Sequence, residues 1–269
     1  MTAVAESLRL NLTPAVRYVL RWADACLIHA QRLSEWCGHG PVLEEDIALT
    51  NMALDLIGQA RGLLTLAGQL EGQAFDEDQL AFLREEGDFL NPTLVEQPLR
   101  RSSAHSPGGD FADTVVRNLL LATWLKQAWQ RMVSSSDAEL AAIAAKALKE
   151  ARYHQQHAAD WTIRLGDGTD ESHARMERAL DRAWPYTAEL FATDAVDEVA
   201  VAAGLGPSRA ALREDWLHEI DAVLAEATLA RPADTAFVST GTQGVHSEHM
   251  GFILAEMQSL QRRYPGGVW

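Results

Sequence analysis

The chain has 269 residues, 47% of them hydrophobic and 23% charged, with a formal net charge of −15. That is ordinary apolar content for a globular protein with a sizeable core. The acidic balance argues against nucleic acid and against an anionic membrane surface as partners, because both need a basic face.

Residues Met1 to Thr13 lack an apolar signal core and read as a disordered tail at the start of one domain spanning 1–269. The first helix is predicted over about Pro14 to Gly38, with Thr13 as cap and Pro14 in the first turn. It carries both cysteines, Cys26 and Cys37. At that spacing they sit roughly 16 Å apart along the axis, too far for a disulfide. Both are expected to be reduced and packed, which suits a reducing, cytoplasmic compartment. No stretch is long enough to cross a membrane.

The second helix is predicted over about Leu43 to Leu70 and is apolar on more than one face. Ile47, Leu54, Ile57 and Leu64 form one stripe. Leu49, Met52, Leu56, Leu63, Leu66 and Leu70 form another, and Asn51, Asp55, Gly58 and Gly62 line a groove between them. A helix of this kind is either central in a bundle or turns its outer face to another protein. An irregular stretch, Glu71 to Gly109, follows. It has a short helical piece near Asp76 to Leu83 and breaks at Asn91-Pro92 and Ser106 to Gly109. A connection this long crosses the end of a bundle.

The third helix runs from about Asp110, its N-cap, to Val133. The fourth runs from about Asp137 to Leu165 and stops at Gly166-Asp167-Gly168. Its seam is Leu140, Ala144, Ala147, Ala151, His154, Ala158, Trp161 and Leu165, a 4-3-4-3 spacing that a neighbouring helix can approach closely. A fifth helix is predicted over Ser172 to Phe191, then a short one near Asp194 to Ala203 and one from Pro207 to about Leu229. A loop, Arg231 to Val245, leads into a last helix over Glu248 to Arg263. With no strand-period segment, the fold class is all-α: a four-helix bundle with additional C-terminal helices.

A bundle of this kind can hold two irons, using a Glu from each of two helices and a Glu-x-x-His from each of the other two. Lys149 to His154 nearly spells that motif. Glu150 is followed three residues later by Tyr153, with His154 one residue late, and no Glu-x-x-His occurs anywhere in the chain. The remaining ligand candidates are Glu35 on the first helix, Asn51 and Asp55 on the second, and Asp113 near the start of the third. The second helix has no histidine. These seven residues read as a vestigial pocket that lacks two imidazoles. Glu150 and His154 are then expected to hydrogen-bond each other or an arginine such as Arg61, and His157 to lie at the surface or an interface.

Asp215-x-x-His218 and Asp170-x-x-His173 have ligand-like spacing, of a kind that arises by chance in helices. His246-Ser247-Glu248-His249 is a helix start or a binding surface for a partner or an anion. Thr240 to Gly244 could present backbone amides to a phosphate. No nucleophile elbow, P-loop or dinucleotide fingerprint is present. The eight tryptophans read first as core.

Several segments together resemble one family. They are Arg32 to Pro41, Asp46 to Arg61, Phe111 to Thr114, Ala145 to His154, Arg164 to Thr169, Gly244 to Gly251 and Ala255 to Arg263. The chain from Arg17 to Trp269 is similar to the PaaC family, the C subunits of the ring 1,2-phenylacetyl-CoA epoxidase of phenylacetate degradation. The resemblance implies a ferritin-like fold within a multicomponent monooxygenase. There the A subunit holds the di-iron centre and the substrate, and a reductase subunit brings FAD and an iron-sulfur cluster. The C subunit is the non-catalytic partner of A, with no cofactor of its own. No catalytic residue is carried over, because the iron-ligand motif is missing at the matching positions. Three expectations result: an iron-free subunit that pairs with A; alternatively, an oxygenase in its own right with an atypical ligand set; or direct CoA binding through Gly241 to His249. A homodimer of the isolated chain is a further expectation.

Overall fold

The computed structural model describes residues 6–98 and 110–267; Ser106 to Gly109 and the start of the chain lie outside them. Four long helices make the bundle: α1 (Pro14–Ser34), α2 (Leu43–Glu71), α5 (Phe111–Met132) and α6 (Ala138–Gly166). Between α2 and α5 the crossover holds α3 (Glu77–Phe82), a 3₁₀ turn at Glu86–Asp88 and α4 (Thr93–Glu96). After the bundle come α7 (Asp170–Ala183), α8 (Ala195–Ala202), α9 (Arg213–Glu226) and α10 (Glu248–Arg263). This is the ferritin-like arrangement, and no strand occurs among the described residues.

α1 packs along α2 and α5 along α6, as two hairpins. The hairpins meet differently on their two sides. α2 lies close to α6, where Ala144, Ala147 and Ala151 are buried and a Cβ on Gly62 would touch the Ile143 side chain. α1 and α5 stand further apart, and tryptophans fill the space. Trp22 stacks on Trp124 at 4.4 Å between centroids and leans on Trp129 at 5.8 Å.

The seam on α6 holds from Leu140 to Ala158 and then moves to Thr162 and Gly166, leaving Trp161 and Leu165 half-buried. A 4-3-4-3 spacing averages 3.5 residues per turn while a straight helix has 3.6, so the buried line drifts by about 20° per heptad. After three heptads it has passed to the next residue.

Other differences from the predicted elements have local causes. α1 stops at Ser34, and Cys37 is exposed in the turn beyond it, whereas Cys26 is buried; both are free. α7 stops at Ala183 instead of reaching Phe191, because Pro185 lacks the N–H a continuing helix needs. Two 3₁₀ turns follow, Trp184–Tyr186 and Ala188–Phe191. The helix expected from Pro207 begins as a 3₁₀ turn, Arg209–Leu212, and becomes α9 only at Arg213.

Residues 6–13 are not a free tail. The Leu8 amide donates to the Leu83 carbonyl at 3.0 Å, Asn11 N–H donates to Glu71 at 2.7 Å, and Leu8, Leu10 and Leu12 pack on the core. The alternating leucines explain it, since one face of an extended segment can cover apolar surface.

One close approach fixes how α2 leaves the bundle. A Cβ on Gly68 would lie 1.9 Å from the Phe75 carbonyl oxygen. A backbone atom cannot rotate away, so Gly68→Ala is expected to destabilise the fold by about 1–3 kcal/mol, as overpacking does. A urea midpoint unchanged from wild type would contradict that packing.

Candidate functional site

The interior between the four helices is where a ferritin-like bundle would hold metal. α2 and α6 run antiparallel there, with two polar pairs spaced one turn apart. Asp55 faces His154, with Oδ2 and Nε2 3.0 Å apart, and Gln59 Nε2 donates to Glu150 Oε2 at 3.0 Å. The Cys26 thiol of α1 reaches Gln59 Oε1 at 3.6 Å, which draws α1 into the chain of contacts. Lys146, one turn earlier on α6, lies 3.6 Å from Glu150. Glu150 is therefore held by Gln59 and Lys146 rather than by His154, and Arg61 pairs with Glu77 at 2.8 Å on the surface. These contacts fix the register of α2 on α6 (and of α1 on α2).

Beside them is a cavity of about 10 Å³, room for a single water, walled by all four helices. His29 comes from α1, Met52 and Leu56 from α2, Asn118 and Ala122 from α5, and His154 from α6. His29 Nδ1 and Asn118 Oδ1 are buried without a hydrogen-bond partner among the described residues. Burial, and then the charge of Arg117, pull the His29 pKa down to about 3, against the pull of Asn118. His154 is also lowered by burial, although its hydrogen bond to Asp55 works the other way.

A di-iron centre takes four carboxylates and two imidazoles. This cavity offers two imidazoles and an amide, and no carboxylate among the described residues lines it. Nor do any three His, Cys, Asp or Glu side chains among the described residues stand close enough together to hold a metal ion. The residues present do not fit the group.

The seven sequence candidates are not one site. Asp55, Glu150 and His154 come together on α2 and α6. Glu35 caps the end of α1 and is held by Arg32 at 2.5 Å. Asn51 is exposed on the outer face of α2. Asp113, in the first turn of α5, binds Arg182 Nε at 2.9 Å. Tyr153 is 54% exposed, since a residue adjacent to the seam residue His154 points about 100° away from it. His29, Gln59 and Asn118 were not among the candidates, yet they line or support the interior. Asn118 had a signal: an amide just before the apolar run Leu119 to Leu121 and just after Val115-Val116-Arg117 sits where little water reaches.

Within the His246–His249 cluster, His246 is structural. The His246 side chain is fully buried, with Nδ1 2.8 Å from Glu96 and Nε2 2.9 Å from the Phe89 carbonyl. Burial opposes its charged form, but the hydrogen bond to Glu96 and that carboxylate's charge outweigh burial and raise its pKa. The amides of Thr240 to Gly244 are answered from inside the protein: Thr242 N–H donates to Glu189 at 2.6 Å and Gly241 N–H to Thr93 Oγ1 at 3.2 Å. An internal carboxylate thus occupies the position expected for a phosphate. His157 lies half-buried 2.9 Å from Glu45, His173 caps the Gly166 carbonyl at 2.7 Å, and Asp215 pairs with Arg131 at 2.6 Å.

The outer face of α2 is less occupied. Leu43 is 71% exposed, Ile47 53% and Leu54 60%, and the space above Gly58 is open. Tyr153 of α6 is exposed beside the Asp55–His154 pair. No helix of the described residues is long and apolar enough to cross a membrane.

The phenylacetic acid catabolic protein family model, PaaA_PaaC, matches residues 1–269. The C subunit of 1,2-phenylacetyl-CoA epoxidase from Escherichia coli (strain K12) is 46% identical over 252 residues, covering 94% of this chain and 98% of that protein.

Proposed function

This chain belongs to the phenylacetic acid catabolic protein family, and we propose that it is the iron-free structural member of a phenylacetyl-CoA 1,2-epoxidase complex. In that role it pairs in the cytoplasm with a homologous, di-iron catalytic A subunit, which it stabilises. The observation that carries the reading is the interior of the bundle. Its cavity is walled by His29, Met52, Leu56, Asn118, Ala122 and His154, and has neither the carboxylates nor the volume for two irons. The relative's name supports membership of the complex.

The contact with A is assigned to the outer face of α2. Large apolar side chains grouped on one face of a soluble helix mark an interaction surface. A family whose model is named for both A and C makes A a homologous bundle, the kind of partner that such a helix face suits. Ile47→Glu and Leu54→Glu change exposed positions, so their stability should stay within about 0.5 kcal/mol of wild type. Binding to A should weaken by about 30-fold or more, the scale of a buried hot spot. The measurements are complex mass by light scattering, affinity by calorimetry, and iron content of the chain purified alone. Full binding by both variants would displace the contact to another face. Stoichiometric iron with oxygen-dependent turnover in the isolated chain would overturn the structural role.

A further inference from the structure

A cleft of about 210 Å³ opens between the start of α5, the end of α7 and the first turn of α10, beside Pro98. It is separate from the bundle interior, and the proposed pairing makes no use of it. Its volume is below that of pockets for drug-sized ligands and suits an ion or the end group of a larger molecule.

Two atoms of its wall residues have unmet hydrogen-bonding capacity of opposite kinds. Arg117 is 4% exposed, and its Nη1 is buried with no partner among the described residues. Among the described residues, its other terminal nitrogen, Nη2, reaches only the Pro98 carbonyl, at 3.4 Å. Asp113 Oδ1 accepts from Arg182 Nε at 2.9 Å, while Oδ2 is buried with no partner among the described residues. A buried guanidinium N–H and a buried carboxylate oxygen are costly to leave unmet. Burial, and then the nearby charge of Arg32, already pull the Arg117 pKa down to about 9. The same wall holds Arg182, His249, Gln97 and Tyr186. In a chain of net charge −15, two guanidiniums facing one carboxylate make this a locally cationic place.

The missing partner must accept from Arg117 and donate to Asp113. A fully ionised anion does only the first, and a cation only the second. A single water does both, and so does a phosphate that keeps a proton; the two guanidiniums in the wall and the cleft's volume of about 210 Å³ favour the anion. We propose that this cleft binds a protonated phosphate group, with a P–O⁻ oxygen accepting from Arg117 Nη1 and a P–OH donating to Asp113 Oδ2. Inorganic phosphate has a P–OH throughout the neutral range. A phosphomonoester has one only below its second pKa of about 6. Sulfate has none, so its oxygen would face the Asp113 carboxylate directly.

Calorimetric titration of the full chain, in phosphate-free buffer of low ionic strength, tests this with inorganic phosphate, glycerol 3-phosphate and sulfate. The expected result is saturable phosphate binding at pH 7, at least about tenfold tighter than sulfate, a margin of about 1.4 kcal/mol. Glycerol 3-phosphate should gain affinity between pH 7 and 5.5 if the cleft takes a phosphomonoester, and should not bind if it takes only the free ion. Arg117→Met should weaken phosphate by tenfold or more, with folding checked by circular dichroism. Asp113→Asn, which puts an amide donor where an acceptor stood, should bring sulfate to about the affinity of phosphate. That exchange of selectivity is not what a merely structural defect produces, and it decides the matter if Arg117→Met does not fold. Three outcomes overturn the site: no saturable phosphate binding up to about 10 mM, sulfate bound as well as phosphate by wild type, or a folded Arg117→Met that binds like wild type.

Discussion

Arg84→Met is expected to lower the unfolding free energy by about 3–5 kcal/mol, the range for breaking a buried ion pair from one side. Arg84 and Asp24 are fully buried at both side chains. Asp24 accepts from both terminal nitrogens of Arg84, one at 3.0 Å, and from the Leu90 amide at 2.8 Å. Arg84 also donates to the Asp88 carbonyl at 3.0 Å and lies 4.0 Å over the Phe89 ring. Removing the guanidinium leaves a buried carboxylate with one amide donor. Asp24→Leu leaves a buried cation and should cost a similar amount. The double variant should cost clearly less than the two singles together, because it strands no charge. It will not recover fully, since the Leu90 amide and the Asp88 carbonyl still lose partners. Urea unfolding with an unchanged slope would give these numbers directly. A loss below about 1 kcal/mol for either single change would mean that water reaches the pair.

The position of this pair gives it consequences beyond stability. It pins the crossover, Arg84 to Asn91, onto α1. The C-terminal elements then dock on that crossover. Gln258 of α10 donates to the Arg84 carbonyl at 3.1 Å, and His246 contacts the Phe89 carbonyl. Glu96 and Glu189, both buried, tie the loop before α10 to the segment that contains α4. The end of the chain is thus built on the crossover, which a reading of helices alone treats as filler.

That is also the boundary of what the sequence made legible. The bundle helices were readable because each repeats its apolar residues on one face over several turns, as α6 does from Leu140 to Ala158. The boundaries that missed are those where one residue overrides a periodic pattern, such as Pro185 in the expected fifth helix. The site was harder for a physical reason. A residue's type shows that it can ligate, but only tertiary packing shows where it points. Asp113 and Glu35 have ligand chemistry, yet both sit at helix ends and are neutralised by arginines. His29 has ligand chemistry too, but nothing in its local sequence separates a buried imidazole from a surface one. The Asp55–His154 and Gln59–Glu150 pairs do carry a signal in retrospect. Each helix contributes polar residues four apart, and two antiparallel helices bring such residues into register.

His29 supplies the other large effect, read as a change of stability with pH. Its folded pKa of about 3 lies below the ordinary value of 6.5. Above pH 6.5 the ring is neutral folded and unfolded, and it adds no pH dependence. Between 6.5 and 3 the unfolded chain takes up a proton that the folded chain refuses, so stability falls by about 1.4 kcal/mol per pH unit. His29→Asn removes this term. Wild type should therefore lose about 2.5 kcal/mol more than the variant between pH 6 and pH 4, while their curves stay parallel from pH 7 to 8. His154, also lowered, acts in the same direction. His246, raised, contributes stability at low pH that is lost as the pH climbs. Both are common to the two proteins and cancel in the difference. Curves parallel down to pH 4 would show that the His29 ring is solvated or already charged in the folded chain. The same pair of proteins also separates the two readings of the bundle interior. A neutral imidazole with a free nitrogen is the form that binds metal. If His29 held iron, added Fe(II) would stabilise wild type and leave the variant unchanged, by simple linkage. With no carboxylate lining the cavity and room there for one water, the expected result is that Fe(II) shifts neither, and the imidazole's role is to be buried and neutral.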